Sequence, residues 1–242
     1  MDRRKDEWFA TWFDSPLYHI LYKQHNENEA KKFLDLLIDC LPIHAGAKIL
    51  DLGCGRGRFA KYLGSKNFDV LGIDLSQNSI DYAKQFEQGN LHFEVHDMRD
   101  TLHPRKFHYV LNLFTSFGYF STADEDRAVL RAVRKSLSVD GSLIIDFING
   151  DKVREKLVKE EVAQIDGQDF FISRWIENEK IYKKIVVNGD EFREEVKLLS
   201  LEQFNEYAAE TGFSISEVYG DYQLNPYQQV DSDRLIMVFN AI

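Results

Sequence analysis

Between Lys48 and Phe59 the chain reads Lys-Ile-Leu-Asp-Leu-Gly-Cys-Gly-Arg-Gly-Arg-Phe. An apolar run closes on an acid, Asp51, and glycines follow at 53, 55 and 57 before a helix-like pattern begins at Arg58. A strand, a tight glycine loop and a helix N-terminus in that order let the main chain approach a ligand closely. The loop amides and the positive helix end then favour a carboxylate or phosphate. The dinucleotide-binding fingerprint spaces its glycines Gly-x-Gly-x-x-Gly. Here the spacing is Gly-x-Gly-x-Gly behind an acid, more glycine than a purely structural turn requires.

A second carboxylate, Asp74, ends the next apolar run, Val70-Leu-Gly-Ile-Asp-Leu-Ser76, at a strand-helix-strand distance from Asp51. At the carboxyl end of a strand facing the crevice of an open sheet, it can accept hydrogen bonds from both hydroxyls of a ribose. A helix cap or loop acid is the plainer alternative. A third run closes on His96-Asp97-Met98-Arg99, where Arg99 is either an anchor for an acidic substrate group or a salt-bridged arginine. A fourth leads into Asn112-Leu-Phe-Thr-Ser-Phe-Gly-Tyr-Phe120. The aromatics Phe114, Phe117, Tyr119 and Phe120 suggest an apolar wall, though core packing accounts for at least half of them. The first 22 residues add Trp8, Phe9, Trp12, Phe13, Tyr18 and Tyr22.

The elements that must position these groups follow from periodicity. Helical spacing covers Glu27–Leu41, Arg58–Ser65 and Asn78–Glu87, with another helix from the capping box at Thr122 to Leu137. Apolar runs at 48–52, 68–73, 91–96, 109–113 and 143–148 read as buried strands, with Gly141 ending the turn before the last. Strands alternating with helices imply a parallel sheet covered on both faces. Residues 160–199 break the pattern. Asp166-Gly167 and Asn188-Gly189 signal two-residue hairpins, so this stretch reads as an antiparallel meander inserted beside the main sheet. Ser200-x-x-Gln203 caps a helix that Gly212 ends, and strands at 215–219 and 234–239 complete the chain.

The chain has 242 residues, 44% hydrophobic and 13% aromatic, enough for one large domain. Forty acids against thirty bases give a net charge of −10, which repels nucleic acid and anionic membrane at long range. Cys40 and Cys54 lie far apart and read as reduced thiols of a cytoplasmic protein. Seven histidines show no metal-ligand spacing, so no metal is expected. Nothing in the sequence bears on oligomeric state.

Taken together, the acid-x-Gly-x-Gly-x-Gly motif, Asp74 and Asp97 resemble the class I methyltransferases that use S-adenosylmethionine (SAM). The resemblance implies a Rossmann-like α/β fold: a seven-stranded, mostly parallel sheet with helices on both faces, the last strand antiparallel, plus the small β insertion. It implies that Asp97 meets the adenine amino group, that the Met98 amide meets the ring, and that Asp51, Gly53, Cys54, Gly55, Gly57, Asp74, Leu75 and Leu113 complete the cofactor contacts. The loop after the fourth strand would lie beside the transferring methyl. It lacks the Asn/Asp-Pro-Pro-aromatic run of base methylation and the Pro-Cys nucleophile. Tyr22, Arg99, Phe114, Phe117 and Tyr119 are then the expected substrate contacts, and residues 1–26 an aromatic lid. Within the class, the arm, the Asp-Met-Arg and the Phe-Thr-Ser-Phe-Gly-Tyr-Phe run resemble a bacterial group of small-molecule enzymes whose substrate is unassigned.

The sulfonium of SAM is already activated, so alignment and water exclusion carry most of the chemistry. A base is needed only where the acceptor must lose a proton, and Tyr18, Tyr22, His19 and His25 are the candidates. The expectation is methyl transfer to nitrogen or oxygen of a small molecule, leaving S-adenosylhomocysteine. A non-catalytic SAM-binding regulator and a nicotinamide-dependent oxidoreductase are the alternatives.

Overall fold

The structure, a computed structural model, describes residues 7–23, 27–104 and 106–242, with Glu27 described in its main chain only. Two short helices, α1 (Trp8–Trp12) and α2 (Pro16–Leu21), precede α3 (Glu27–Cys40). The alternating unit follows: β1 (Lys48–Leu52), α4 (Arg58–Ser65), β2 (Asp69–Asp74), α5 (Gln77–Ala83), β3 (Leu91–Val95), β4 (Phe107–Asn112), α6 (Ala123–Ser136) and β5 (Leu137–Ile148). After α7 (Gly150–Glu155) come four insertion strands, β6 (Glu160–Ile165), β7 (Gln168–Glu177), β8 (Lys180–Val187) and β9 (Asp190–Lys197). The chain ends with α8 (Leu201–Thr211), β10 (Phe213–Tyr219) and β11 (Arg234–Ala241).

The main sheet has the order β3-β2-β1-β4-β5-β11-β10, and β11 is antiparallel to both neighbours. This is the expected seven-stranded sheet with its reversed last strand. Alternation along each strand splits the core. Leu50 and Leu52 of β1, with Leu235, Met237 and Phe239 of β11, face α6 and α8. Ile49, Ile236 and Val238 face α3 and α4 on the other side. The switch point falls between β1 and β4, whose carboxyl ends open the crevice where ligands bind in such sheets.

Two boundaries differ from the sequence reading. Gly141 does not end a turn. It lies inside β5, where a Cβ would come within 3.1 Å of the Phe107 carbonyl and 3.2 Å of the His108 carbonyl. The pairing with β4 shifts register there, so the glycine permits a close approach of two strands. The insertion is a four-stranded sheet with three tight turns. The two glycine turns were legible. The third, Asn178-Glu179, takes positive φ at both residues (49° and 56°) without any glycine.

The arm packs on two surfaces at once. Phe9 joins the main core, while Trp12 and Leu21 pack on Phe170, Ile172, Ile185 and Val187 of the insertion sheet. Six aromatics within residues 8–22 exceed one packing face because they serve two. Ser15 caps α2 through the Leu17 amide, with Pro16 at its first position. Trp12 is 1% exposed and donates its indole N–H to Glu194 Oε1 at 2.7 Å. Trp12→Ala is therefore expected to cost about 3–5 kcal/mol in denaturant unfolding. A loss below about 1 kcal/mol would mean that the arm is not part of the core.

Candidate active site

The glycine loop is fixed from below. The amides of Gly53 and Cys54 both donate to the Ile73 carbonyl at 2.9 Å. Gly53, Gly55 and Gly57 all take positive φ (80°, 53° and 74°), and their surroundings differ. A Cβ on Gly57 would meet the Phe93 ring at 2.5 Å, and one on Gly53 would meet Ser116 Cβ at 2.9 Å, with Met98 Cε at 3.7 Å. A Cβ on Gly55 would meet nothing within 4 Å. That open side is the cradle a ligand requires, so the residues present fit SAM. Gly57→Ala should lose about 2 kcal/mol or more, from left-handed backbone cost and the ring clash. Gly55→Ala should lose only the ~1 kcal/mol backbone part, yet bind S-adenosylhomocysteine much more weakly. Thermal unfolding and calorimetry together check both, and parental affinity in Gly55→Ala would move the cofactor away from that side.

The two strand-end acids have built-in partners. Asp74 accepts the Gly55 amide at 2.8 Å through one oxygen and the Ser76 amide at 2.9 Å through the other. Burial raises its pKa, against the pull of those amides. Asp51 is buried and accepts the Ala60 amide at 3.1 Å, which fixes the start of α4. Cys54 turns its side chain inward, where its Sγ would lie 2.9 Å from a Cβ on Gly72, so only its main chain faces the loop. Burial pushes that thiol up, with Asp51 and Asp74 adding to it.

Of the two readings of Arg99, substrate anchor or salt-bridged arginine, the contacts support the second. Arg99 Nη1 and Nη2 each donate to a Glu7 oxygen at 2.8 Å, Nη1 also to Glu125 at 3.0 Å, and Nη2 to Asp97 at 2.7 Å. Three carboxylates consume it, and it ties the arm to Asp97 rather than waiting for a substrate acid. Asp97 also accepts the Arg99 amide at 2.9 Å and its Nε at 3.0 Å, so the pair fixes the turn that carries Met98. Met98 and Leu75 pack half-buried against the α6 side of the core.

The loop after β4 is strained and held. Phe114 and Thr115 both take positive φ (57° and 62°), uncommon for any side chain and costly for a β-branched one. The Phe114 amide donates to Asp146 Oδ2 at 2.8 Å and the Thr115 amide to the Asp146 carbonyl at 3.0 Å. Phe114 stacks between Phe59 and Tyr222, with centroids 5.0 Å away on each side. Phe117 is not a substrate wall. It is buried in the core against Phe204, as Phe120 is against Phe9. Leu113 is likewise core.

Tyr119 is where the parts converge. Its ring meets Trp8 and Phe13 of the arm edge-on or tilted at 5.4 and 5.3 Å, and its hydroxyl donates to the Thr115 carbonyl. Burial pushes its pKa far up, as do Tyr18, Glu194 and Asp74, while Arg234 pulls it down. The arm rings Trp8, Phe9 and Phe13 thus contact Tyr119, while charges on the insertion, β2 and β11 bear on its hydroxyl from further away. None of the expected bases suits that role. The Tyr22 hydroxyl donates to Glu194 at 2.7 Å and accepts from Lys183, and burial followed by Glu194 raises it well above its usual range. Tyr18 is likewise raised, by burial first and then by Glu194 and Asp74. His19 faces Ser79 of α5 at 3.3 Å, and burial with Arg56 lowers it to about 4. His25 lies outside the described residues. The sequence reading missed Asp146, Glu194 and Arg234. Asp146 had a signal, a lone acid inside the apolar run Leu143–Ile148.

Sheet order, glycine loop and strand-end acids together have the form of a SAM-dependent methyltransferase, and comparison with known proteins agrees. The sequence profile of the methyltransferase-domain family matches residues 49–141. YqeM of Bacillus subtilis (strain 168), named there only as a candidate methyltransferase, is 28% identical over 228 residues, 88% of each chain. A dTDP-3-amino-3,4,6-trideoxy-alpha-D-glucopyranose N,N-dimethyltransferase of Streptomyces venezuelae is 29% identical over 134 residues, about half of either protein (54% and 55%). A SAM-dependent methyltransferase from Clostridium acetobutylicum ATCC 824 shares the fold at a TM-score of 0.77, with 18% identity over 92% of this chain and 95% of that one. The domain match and the shared fold support a SAM-dependent methyltransferase and displace the nicotinamide alternative. Among the described residues no helix is long and apolar enough to cross a membrane.

Burial raises the Asp51 carboxyl from its ordinary 3.8 to about 7, against the Ala60 amide and with Asp74 adding to the rise. The ionised form is therefore the costly one in the folded state. That cost is full above pH ~7, is released as pH falls through ~7, and vanishes below about 3.8. Asp51→Asn should be more stable than the parent at pH 8, by a few kcal/mol at most, with the gap closing toward pH 5. A gap independent of pH in parallel thermal unfolding would refute the shift.

Proposed function

We propose that this enzyme transfers the methyl group of SAM to a nitrogen, or less readily an oxygen, of a small molecule bound around Tyr119. The observation that carries this reading is the clustering of the arm's rings on Tyr119, with charges of the insertion, β2 and β11 bearing on its hydroxyl. The rings of Trp8, Phe9 and Phe13 border that point, which suits a compact acceptor. A net charge of −10 argues against a polyanionic one.

SAM supplies an activated methyl for in-line displacement. The protein's part is then to bind, align and exclude water. Gly53, Gly55 and Gly57 offer the main chain. Asp74 takes the ribose hydroxyls, and Asp97 with the Met98 amide takes the adenine edge. Phe114 and Tyr119 border the reacting end. The Tyr18 hydroxyl makes no hydrogen bond among the described residues, and its raised pKa keeps it protonated, so it is free to orient the acceptor. With Tyr22 bound to Glu194 and His19 lowered to about 4, no expected base among the described residues is poised to strip a proton at neutral pH. That favours a neutral amine, which attacks without prior deprotonation. The Streptomyces venezuelae relative, named for N,N-dimethylation of an amino sugar, supports the same choice.

The arm serves as the cover. Glu7 grips Arg99, and Asp14 accepts from Ser76 Oγ at 2.6 Å and the Asn78 amide at 3.0 Å beside Asp74. On the far side Trp12 and Tyr22 hold Glu194. The arm thereby bridges the cofactor edge and the insertion.

S-adenosylhomocysteine at ~100 times its dissociation constant should stabilise the fold by ~2.7 kcal/mol. It should also slow amide exchange over residues 8–22. Asp74→Ala should bind it at least about tenfold more weakly, through loss of charge-assisted bonds to the ribose. No heat and no thermal shift with either SAM or its product would refute the reading. Unchanged affinity in Asp74→Ala would return that acid to a loop-fixing role alone.

A further inference from the structure

Arg234 opens β11, and because β11 runs antiparallel to β5, its first residue lies at the edge where β1, β2 and β4 end. From there the guanidinium reaches Asp146, a wholly buried carboxylate on β5. Nε donates to Asp146 Oδ1 at 2.7 Å, Nη2 forms an ion pair with the same oxygen at 2.7 Å, and Nη2 donates to Thr115 Oγ1 at 2.8 Å. The other oxygen of Asp146 is filled by the Phe114 amide and, at 3.2 Å, by the Tyr222 hydroxyl. Two of the three guanidinium nitrogens are thus accounted for.

The third, Nη1, makes no hydrogen bond among the described residues. It is not a sealed orphan either. The side chain keeps 16% exposure, and Nη1 is not among the buried polar atoms that lack a partner. With Nε and Nη2 on one oxygen, the planar fork turns Nη1 away from Asp146. Its position is set by the same contacts that hold Phe114 and Thr115, and its charge is felt at the Tyr119 hydroxyl. A strut that only secured Asp146 would have no use for a third, outward-facing donor. A chain this acidic repels an anionic acceptor at long range and so needs a fixed local cation to accept one. Arg99 is spent on three carboxylates, whereas Arg234 retains two unused N–H bonds at the functional edge.

We infer that Arg234 Nη1 is the anchor for an anionic group of the methyl acceptor, a carboxylate or a phosphate. The acceptor is then a small molecule that carries this anion at one end and the nucleophile at the other. Fixing the anion beside the loop at 114–119 fixes the distance at which the nucleophile can stand. The inference rests on the reading of methyl transfer to a small molecule and narrows it to an acidic substrate class.

The test uses the full chain loaded with S-adenosylhomocysteine and arginine side-chain 15N–1H resonances assigned through the backbone. Sodium acetate and inorganic phosphate are titrated separately, with chloride balancing ionic strength. The expected result is a saturable shift of the Arg234 guanidinium that exceeds those of the other arginines. Saturation with acetate indicates a carboxylate acceptor, and saturation with phosphate alone a phosphorylated one. Arg234→Lys keeps the charge but loses the outward fork, and should raise the anion's dissociation constant about tenfold. The parent titration decides the matter even if that variant folds poorly. Linear drift shared by all arginines, with neither anion saturating, overturns the anchor. A protein that takes the anion but shows no calorimetric heat with S-adenosylhomocysteine loses the methyl-transfer reading and leaves the anion site standing.

Discussion

A carboxylate with no exposed surface must be fully paired, and the geometry of this site hangs on one that is. Asp146 accepts from the Phe114 amide, the Tyr222 hydroxyl and Arg234 Nε and is ion-paired with Arg234 Nη2, while its main-chain carbonyl holds Thr115. Left-handed backbone at two consecutive non-glycine residues costs of order 1–3 kcal/mol each and would relax without such a frame. Removing one partner of a buried pair typically costs ~3–5 kcal/mol, because the remaining charge is stranded. So the loop at 114–119 is as rigid as the network beneath it. The same network aims Phe114 between Phe59 and Tyr222 and sets the outward face of Arg234.

The arm solves a different problem. Helices of five and six residues do not persist in water on propensity alone, since nucleation is unfavourable and few hydrogen bonds repay it. Burial makes α1 and α2 stable here. Phe9 enters the main core and Trp12 the insertion core, so neither body alone gives the arm its conformation. Polar anchors then set its register, with Glu7 on Arg99, Asp14 on the α5 cap, and Trp12 and Tyr22 on Glu194. The Arg99 cluster is half-buried, where charge-assisted bonds are worth more than on an open surface. Because the arm spans both cores, the ring cluster around Tyr119 depends on both.

Most of the fold was legible because its signals are local. Apolar runs, glycine spacing and the capping boxes at Thr122 and Ser200 each lie within a few residues, and the structure shows both boxes formed. What failed was long-range. Gly141 looks like a turn in sequence, and only the approach of β4 shows why it lies in a strand. Asn178-Glu179 turns without glycine because its neighbours on β7 and β8 already pair. Arg99 reads in sequence as a substrate anchor or a salt-bridged arginine, and only Glu7, over ninety residues earlier, decides for the second. Arg234 gave no signal at all. Its significance comes from Asp146 on a neighbouring strand, and pairing across a sheet is not written in spacing along either strand.

The acidity of the chain and the chemistry of methyl transfer pull in opposite directions, and the site resolves them by position. Like charge excludes anions from most of the surface, while close partners neutralise most interior cations: Arg99 by Glu7, Asp97 and Glu125, Lys183 by Glu194, and Lys197 by Asp126. In the proposed reading a methyl donor bearing a positive sulfonium is well served by such surroundings, with Asp51, Asp74 and Asp97 near its edge. An acceptor that must come close to that charge needs an uncharged nucleophile and a means of being held at its other end. A protonated amine would be repelled by the sulfonium and would have no lone pair to give. A neutral one, steadied by the Tyr18 hydroxyl and tethered through an outward-facing guanidinium, meets both demands without any residue having to act as a base.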